Sequence, residues 1–277
     1  MRTINSIEIQ NTVRELFDDI CCDIDISARA ALLDAEKRET SELAKFALKV
    51  MNENLEIAKN EHIAACQDTG MAVVFLEIGQ NVHIKGDIED AVNQGVKDAY
   101  HSFFRKSVLN PLTRVNTGDN TPAVIHYEIV PGDNVKISVM AKGFGSENMS
   151  ALFMLTPADG IEGIKKAVLD TVIKSGGCAC PPVVVGVGIG GTMEKAALIA
   201  KKALLREIGS INPDKDLDDL EKELWQSINS TRIGAQGMGG DITALAVFIN
   251  SYPTHIAGLP VAVNIQCHCS RHKTKVL

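Results

Sequence analysis

The chain has 277 residues, of which 45 % are hydrophobic and only 4 % aromatic, and its formal net charge is -7 from 28 basic and 35 acidic side chains. The apolar content excludes general disorder, and the acidic balance argues against a nucleic-acid partner, which needs a concentrated basic face. No run of eighteen apolar residues marks a membrane helix, and Met1–Asn5 does not lead into the apolar core of a signal peptide, so a cytoplasmic protein without a membrane partner is expected.

Residues 1 to about 60 read as helices. Ile7, Val13, Leu16 and Phe17 form one stripe, and Ala-, Leu-, Glu- and Lys-rich patterns follow from Ser27 to about Glu39 and from Glu42 to about Asn60, with Ser27 and Ser41 as caps. The character changes at Cys66-Gln67-Asp68-Thr69-Gly70, a loop leading into an apolar strand, Met71 to Ile78. Asp87 to about Phe104 has helical spacing. Ala123–Val130 and Val135–Met140 read as a hairpin across Pro131-Gly132-Asp133-Asn134. A Gly-rich loop, Lys142 to Asn148, precedes a helix from Ile161 to Lys174 that Gly176 and Gly177 end. Next come Cys178-Ala179-Cys180-Pro181-Pro182, a strand Val183–Ile189, and a Thr192-capped helix from Met193 to about Ile208. Asp216 to Asn229 is a charged amphipathic helix. A second Gly-rich loop, Gly234 to Asp241, enters a strand over Ile242–Ile249, and Val261–Ile265 delivers Gln266-Cys267-His268-Cys269.

This layout predicts one mixed α/β (α+β) domain over 1–277, with a helical portion at 1–60 packed on an irregular body at 61–277. A doubly wound nucleotide fold fits poorly. Gly186-Val187-Gly188-Ile189-Gly190-Gly191 matches the bare dinucleotide glycine pattern, but its first half lies within the apolar run and no acidic strand end follows at the right distance. Close strand–helix packing explains these glycines.

Seven cysteines in a reducing compartment are not expected to form disulfides. Cys21 and Cys22 fall in a helical pattern and read as small buried hydrophobes. Cys66, Cys178, Cys180, Cys267 and Cys269 lie at element boundaries among Gly, Pro, Asp and His, where loops hold reactive or ligand thiols. Cys66, Cys180 and Cys267 lie 114 and 87 residues apart, which excludes a local zinc or ferredoxin knuckle made of these three. Buried thiols, a single reactive cysteine and a three-cysteine metal site all remain open on this ground.

Five ordered motifs bear a resemblance that covers essentially the whole chain. They are Ala65-Cys66-Gln67-Asp68-Thr69-Gly70, Lys142-Gly143-Phe144-Gly145-Ser146-Glu147-Asn148, Cys180-Pro181-Pro182 with Gly190-Gly191-Thr192, Ile233 to Gly240, and His255 to Pro260 leading to Cys267-His268. Together they resemble the class I, iron–sulfur-dependent fumarate hydratases and the related L(+)-tartrate dehydratases. Two departures concern loop shape: Phe144 stands where the family has glycine, and Met149 where Lys is expected.

The resemblance implies a 4Fe-4S cluster on Cys66, Cys180 and Cys267, with Cys178 and Cys269 as bystanders. Three thiolates leave one iron open as a Lewis acid. It implies that Gln67 and Asp68 look toward substrate, Asp68 in a catalytic role. It also implies that Arg105 pairs with a substrate carboxylate, for which its planar fork is suited, and that Gly143 and Gly145 admit backbone amides. His255 is implied to reach the active site of a neighbouring α subunit. Read alone, Asp68-Thr69-Gly70 is an Asx-type turn, Arg105 an exposed helix charge and His255 an ordinary surface histidine. The family's smaller part does not follow Leu277, so a separate β subunit in an α2β2 assembly is expected to supply it, including the general base. The implied reaction is reversible hydration of fumarate to L-malate. L(+)-Tartrate dehydration to oxaloacetate, or hydration of a methyl-substituted diacid, is the alternative.

Overall fold

The computed structural model describes residues 2–100 and 105–277. The fold is mixed α/β, and its described residues divide into two compact units, each assembled from separated stretches of chain. The first comprises Met1–Asp25, Asn54–Phe144 and Arg271–Leu277, and the second Ile26–Glu53 and Gly145–Ser270.

In the first unit, strand β1 (Arg2–Asn5) leads into helix α1 (Ser6–Cys22). Asn5 and Glu8 close a capping box at the start of α1, satisfying orphan N–H groups reciprocally. α1 buries Ile9, Val13, Leu16, Phe17 and Ile20 at helical spacing. The same core takes in helix α4 (Ile88–Ala99) through Val92, Val96 and Ala99, and alternating residues of a four-stranded sheet.

That sheet runs β10-β5-β2-β4, with β2 (Met71–Gly79), β4 (Val124–Val130), β5 (Val135–Lys142) and β10 (His272–Val276). The expected hairpin between β4 and β5 does not form. β2 inserts between them, parallel to β4 and antiparallel to β5. The Pro131–Asn134 link instead passes the end of β2, where Gly79 N–H donates to Asn134 O and Asn81 N–H to Gly132 O. β3 (Val82–Lys85) pairs in parallel with β1. α4 also ends earlier than its pattern suggested, with Tyr100 N–H closing onto Val96 O; the expected continuation through Phe103 and Phe104 lies outside the described residues.

The second unit holds α2 (Ile26–Arg38), most of α3 (Glu42–Glu61) and a sheet of order β6-β9-β7-β8. Its strands are β6 (Ala151–Leu155), β7 (Val183–Gly190), β8 (Ala244–Tyr252) and β9 (Leu259–Gln266), and a four-residue helical turn, α5 (Phe144–Glu147), precedes β6. Helices α6 (Gly160–Ser175) and α8 (Lys215–Ser230) give Val168, Val172, Leu224 and Ile228 to the core on one face. α7 (Met193–Ala203) covers the other through Ala196 and Ala200 against Ala262. Here the close packing expected of the glycine run appears: a Cβ on Gly188 would lie 2.0 Å from Ala196 O.

Three local expectations change. Ser27 lies inside α2, where its hydroxyl accepts from Ile208 N–H rather than capping the helix. Thr192 occupies the N-cap of α7, but its hydroxyl goes to the Glu194 carboxylate. α7 stops at Ala203, five residues short of Ile208.

Candidate active site

The first unit presents the Cys66–Gly70 loop. It leaves α3 through Ala65, whose N–H donates to Cys21 O (2.9 Å) and whose carbonyl accepts from Asn54 Nδ2 (2.8 Å). Asp68 N–H points at Cys66 Sγ (3.4 Å). The Asp68 carboxylate is held at both oxygens. Oδ1 accepts from Gly70 N–H (3.0 Å), which is the Asx turn, and Oδ2 from Phe144 N–H (2.8 Å). Gly70 is required here, because its φ is +72° and an added Cβ would lie 2.5 Å from the Lys142 backbone. A Cβ on Gly143 would sit 3.2 Å from Asp68 Oδ2. The Gly143–Phe144 segment thus comes close to the Asp68 carboxylate, Phe144 donating to it.

Several groups behind this loop hold its carbonyls. Arg271 Nη2 donates to Asp68 O (2.6 Å), Tyr100 OH to Thr69 O (2.9 Å) and Ser107 Oγ to Gly70 O (3.0 Å). Thr69 Oγ1 donates to Arg105 O (2.8 Å), tying the Arg105 backbone to the loop while Arg105 itself is exposed. Gln67 is exposed and Asp68 half-buried. Arg271 and Tyr100 carried no sequence signal. Arg271 opens the basic run Arg271-His272-Lys273-Thr274-Lys275 near the end of the chain, yet it is 1 % exposed. Burial pushes the Tyr100 hydroxyl well above its ordinary range, so it stays a donor.

The second unit presents Cys180 and Cys267. β7 and β9 are antiparallel, with Val184 opposite Gln266, so the segment entering β7 and the segment leaving β9 share one end of the sheet. Cys180 follows a 3-10 turn over Gly176–Ala179 in the left-handed region (φ 53°, ψ 62°), an uncommon conformation for a residue with a side chain. Its N–H bonds Gly177 O (3.0 Å), and its carbonyl accepts from His268 N–H (3.3 Å) and pairs with His268 Nδ1 (3.0 Å). Since a carbonyl only accepts, Nδ1 carries the proton. Pro181 O accepts from Gln236 N–H (2.8 Å), so the second Gly-rich loop braces the cysteine turn. Cys267 is buried at the end of β9, with Sγ 3.7 Å from Cys269 O. Cys178 is exposed and Cys269 buried. Gly145 is loosely placed, a Cβ there lying 3.5 Å from Cys178 O.

His255 lies in the exposed turn between β8 and β9. Its Nδ1 accepts from Ala257 N–H (3.2 Å), leaving Nε2 outward, and Thr254 Oγ1 anchors the turn on Gly191 O (2.9 Å).

Thiolates are soft-metal donors, and each of these cysteines sits at the end of an element within its own unit: Cys66 Sγ faces a backbone amide, Cys180 is a braced left-handed residue and Cys267 is buried after a strand. Among the described residues no three His, Cys, Asp or Glu side chains gather tightly enough for a single ion.

A family model described as "Fumarate hydratase (Fumerase)" matches residues 10–276. The chain belongs to this family, the class I iron–sulfur-dependent hydro-lyases, in its α-subunit branch. It is 46 % identical over 277 residues, covering 97 % of both chains, to a Methanocaldococcus jannaschii protein named "Putative L(+)-tartrate dehydratase subunit alpha". It is 34 % identical over 241 residues to the L(+)-tartrate dehydratase subunit alpha of Escherichia coli strain UTI89, covering 85 % of this chain and 80 % of that one. The same-named subunit of Escherichia coli strain K12 is 33 % identical over 241 residues with the same coverage.

Proposed function

We propose that this chain is the cluster-holding α subunit of a cytoplasmic hydro-lyase that interconverts fumarate and L-malate. The observation that carries the reading is the Cys66–Gly70 loop, where a ligand-type thiol, the amide-held Asp68 carboxylate and the backbone of Arg105 are joined by direct hydrogen bonds. Cys66, Cys180 and Cys267 would hold a 4Fe-4S cluster, which when bound supplies a Lewis-acidic iron without a protein thiolate.

The remaining roles belong to the chain's own groups. Arg105 pairs with one substrate carboxylate through its guanidinium fork, and Gln67 donates a hydrogen bond to it. Asp68, its oxygens already fixed by Gly70 and Phe144, orients the substrate hydroxyl. The Gly143 and Gly145 peptides approach the negative charge that develops when the C–H proton leaves. His255 of a neighbouring α subunit reaches the site through its outward Nε2 and assists proton transfer. A β subunit encloses the substrate and supplies the general base, in an α2β2 assembly; the relatives' naming as α subunits supports a partner.

Dehydration of L(+)-tartrate is the second reading, favoured by the names of those relatives. The two substrates differ by one hydroxyl, and a site built to hydrogen-bond it discriminates strongly. The test is anaerobic reconstitution with the β subunit, comparing kcat/KM for L-malate and L(+)-tartrate. A higher value for L-malate supports the proposal; a higher value for tartrate replaces it with the second reading. Cys66→Ala, Cys180→Ala and Cys267→Ala should each abolish turnover and lower bound iron and sulfide, whereas Cys178→Ala and Cys269→Ala should keep both. A fully loaded, active Cys180→Ala enzyme would show the ligand set to be wrong.

A further inference from the structure

Arg105 is exposed, so packing does not place it; its main chain must. We propose that Asn120 is a positioning residue for substrate binding, acting through the Arg105 peptide. The inference rests on reading Arg105 as the carboxylate-binding arginine.

Asn120 is fully buried, 0 % exposed, in a turn-rich stretch that supplies none of the proposed site residues. It adopts φ +61°, a conformation that Asn tolerates better than most residues. Its side chain is spent on the segment 105–108. Nδ2 donates to Arg105 O (3.0 Å), and Oδ1 accepts from Ser107 N–H (2.5 Å) and Val108 N–H (3.3 Å). The Arg105 carbonyl already accepts from Thr69 Oγ1 (2.8 Å). Two side-chain donors, from segments fifty-one positions apart in sequence, therefore occupy both lone pairs of one carbonyl. With both taken, that peptide can neither translate toward the signature loop nor rotate about its own axis without losing one of these bonds.

The stretch that carries Asn120 is itself anchored. Thr117 N–H donates to Val108 O (3.0 Å), Asn116 Nδ2 to Lys106 O (2.8 Å), and Ala123 N–H to Asn93 Oδ1 (2.9 Å). Ser107 completes the circuit by donating to Gly70 O. One network thus joins the loop bearing Gln67 and Asp68 to the peptide bearing Arg105, with Asn120 as its buried node. It sets the separation between the arginine and the loop, which is the dimension a dicarboxylate of given length must match.

The experiment uses the cluster-loaded complex of the full chain with its β subunit. Asn120→Asp removes the donor to Arg105 O but keeps the acceptor. Thr69→Val removes the other donor, Thr69→Ser keeps it, and Arg105→Lys is the reference. The readouts are Kd for succinate, a non-reacting dicarboxylate, KM and kcat for the substrate turned over, and iron content with the cluster spectrum.

Asn120→Asp and Thr69→Val should each raise Kd and KM by about ten-fold or more, with kcat within about three-fold and the cluster unchanged, as expected for misplaced rather than lost binding groups. Thr69→Ser should restore succinate affinity. The double variant should lose less than the product of the single effects, because both donors share one acceptor. Unchanged succinate affinity in Asn120→Asp and Thr69→Val beside weakened binding in Arg105→Lys overturns the positioning role and leaves the function standing. Unchanged binding in Arg105→Lys overturns the reading of Arg105 itself. If Asn120→Asp fails to fold, Thr69→Val decides alone, normal affinity overturning the inference.

Discussion

Among the seven cysteines, local chemistry separates two kinds. Cys21 and Cys22 are packed in the first unit's core, and burial pushes each thiol up to about 11 from an ordinary 9.0, for Cys21 against the opposing pull of the Arg271 charge. Both therefore stay protonated and inert at neutral pH. The sign of the pH effect follows. Between about pH 9 and 11 the unfolded chain releases these protons while the folded chain keeps them, so stability is fully present below 9 and falls as pH rises toward 11. For Cys21 the loss approaches about 2–3 kcal/mol. Urea titrations at pH 8 and pH 10.5 should show a smaller loss in Cys21→Ala than in the native chain; equal losses would mean another group carries the effect. The burial of Cys21 and Cys22 was legible because they fall on a helical stripe; for the other five, Gly, Pro, Asp and His neighbours marked only element boundaries, and the choice of Cys66, Cys180 and Cys267 among them came from the family resemblance. The burial of Arg271 was not legible. It opens the basic run Arg271-His272-Lys273-Thr274-Lys275, which by composition reads as a solvated tail, and only pairing of β10 with β5 carries it inward, with Arg271 O accepting from Ala141 N–H.

At the scale of elements, helices were legible wherever an apolar stripe recurs over several turns, as in α1, α6 and α8. Strands were less so. β1, β3, β6 and β10 have four or five residues each, too few to establish alternation. The β4–β5 hairpin failed for a different reason, since neighbours in sequence need not pair when a third strand satisfies both. β8 raises the edge problem, because an outer strand offers unpaired backbone groups. Side chains answer it. Asn229 Oδ1 accepts from Thr243 and Ala244 N–H, Trp225 Nε1 donates to Ala244 O, Glu221 accepts from Ile249 N–H, and Asn212 donates to Ile249 O. Glu221 is buried and ion-paired to Arg206 (2.5 Å), whose guanidinium also stacks over Phe248. Arg206→Met removes that carboxylate's counter-ion while Ile249 N–H and Asn212 Nδ2 still donate to it, and should destabilise the chain by up to about 3 kcal/mol, the low end of the cost of breaking a buried pair from one side. Chemical denaturation measures it; a change below about 1 kcal/mol would mean that Glu221 gains access to water.

At the scale of the whole molecule, neither unit is a continuous piece of chain. The first is built from three stretches and the second from two. Only the crossing at Phe144/Gly145 falls in a Gly-rich loop, and the others carry no Gly- or Ser-rich linker, so periodicity and composition could not reveal the interleaving. The interleaving has a concrete anchor in Glu39. Its carboxylate, 4 % exposed, accepts from the N–H groups of Thr40 and Ser41 and, some two hundred residues on, of Asp241 (2.9 Å) and Ile242 (3.1 Å). It thereby ends the second Gly-rich loop, whose Gln236 braces the Cys180 turn through Pro181. The segment 26–53 also gives that unit Leu32, Ala35 and Leu48, all fully buried. A fragment spanning residues 145–270 would keep all of the unit's sheet yet lose these apolar side chains and expose the surface they cover. Burying one such side chain is worth about 1.5–3 kcal/mol, against a total domain stability of only about 5–15 kcal/mol. The fragment alone should therefore show no cooperative thermal transition, and adding the 26–53 segment as a separate peptide should not fully restore one, because association adds its own entropic cost. In the intact chain Glu39→Gln keeps one acceptor oxygen and should lower stability by about 1–3 kcal/mol. A sharp melt and a dispersed amide spectrum from 145–270 alone would refute the dependence, whereas a destabilised but folded Glu39→Gln chain beside a molten fragment would locate it in this one carboxylate and the helices around it.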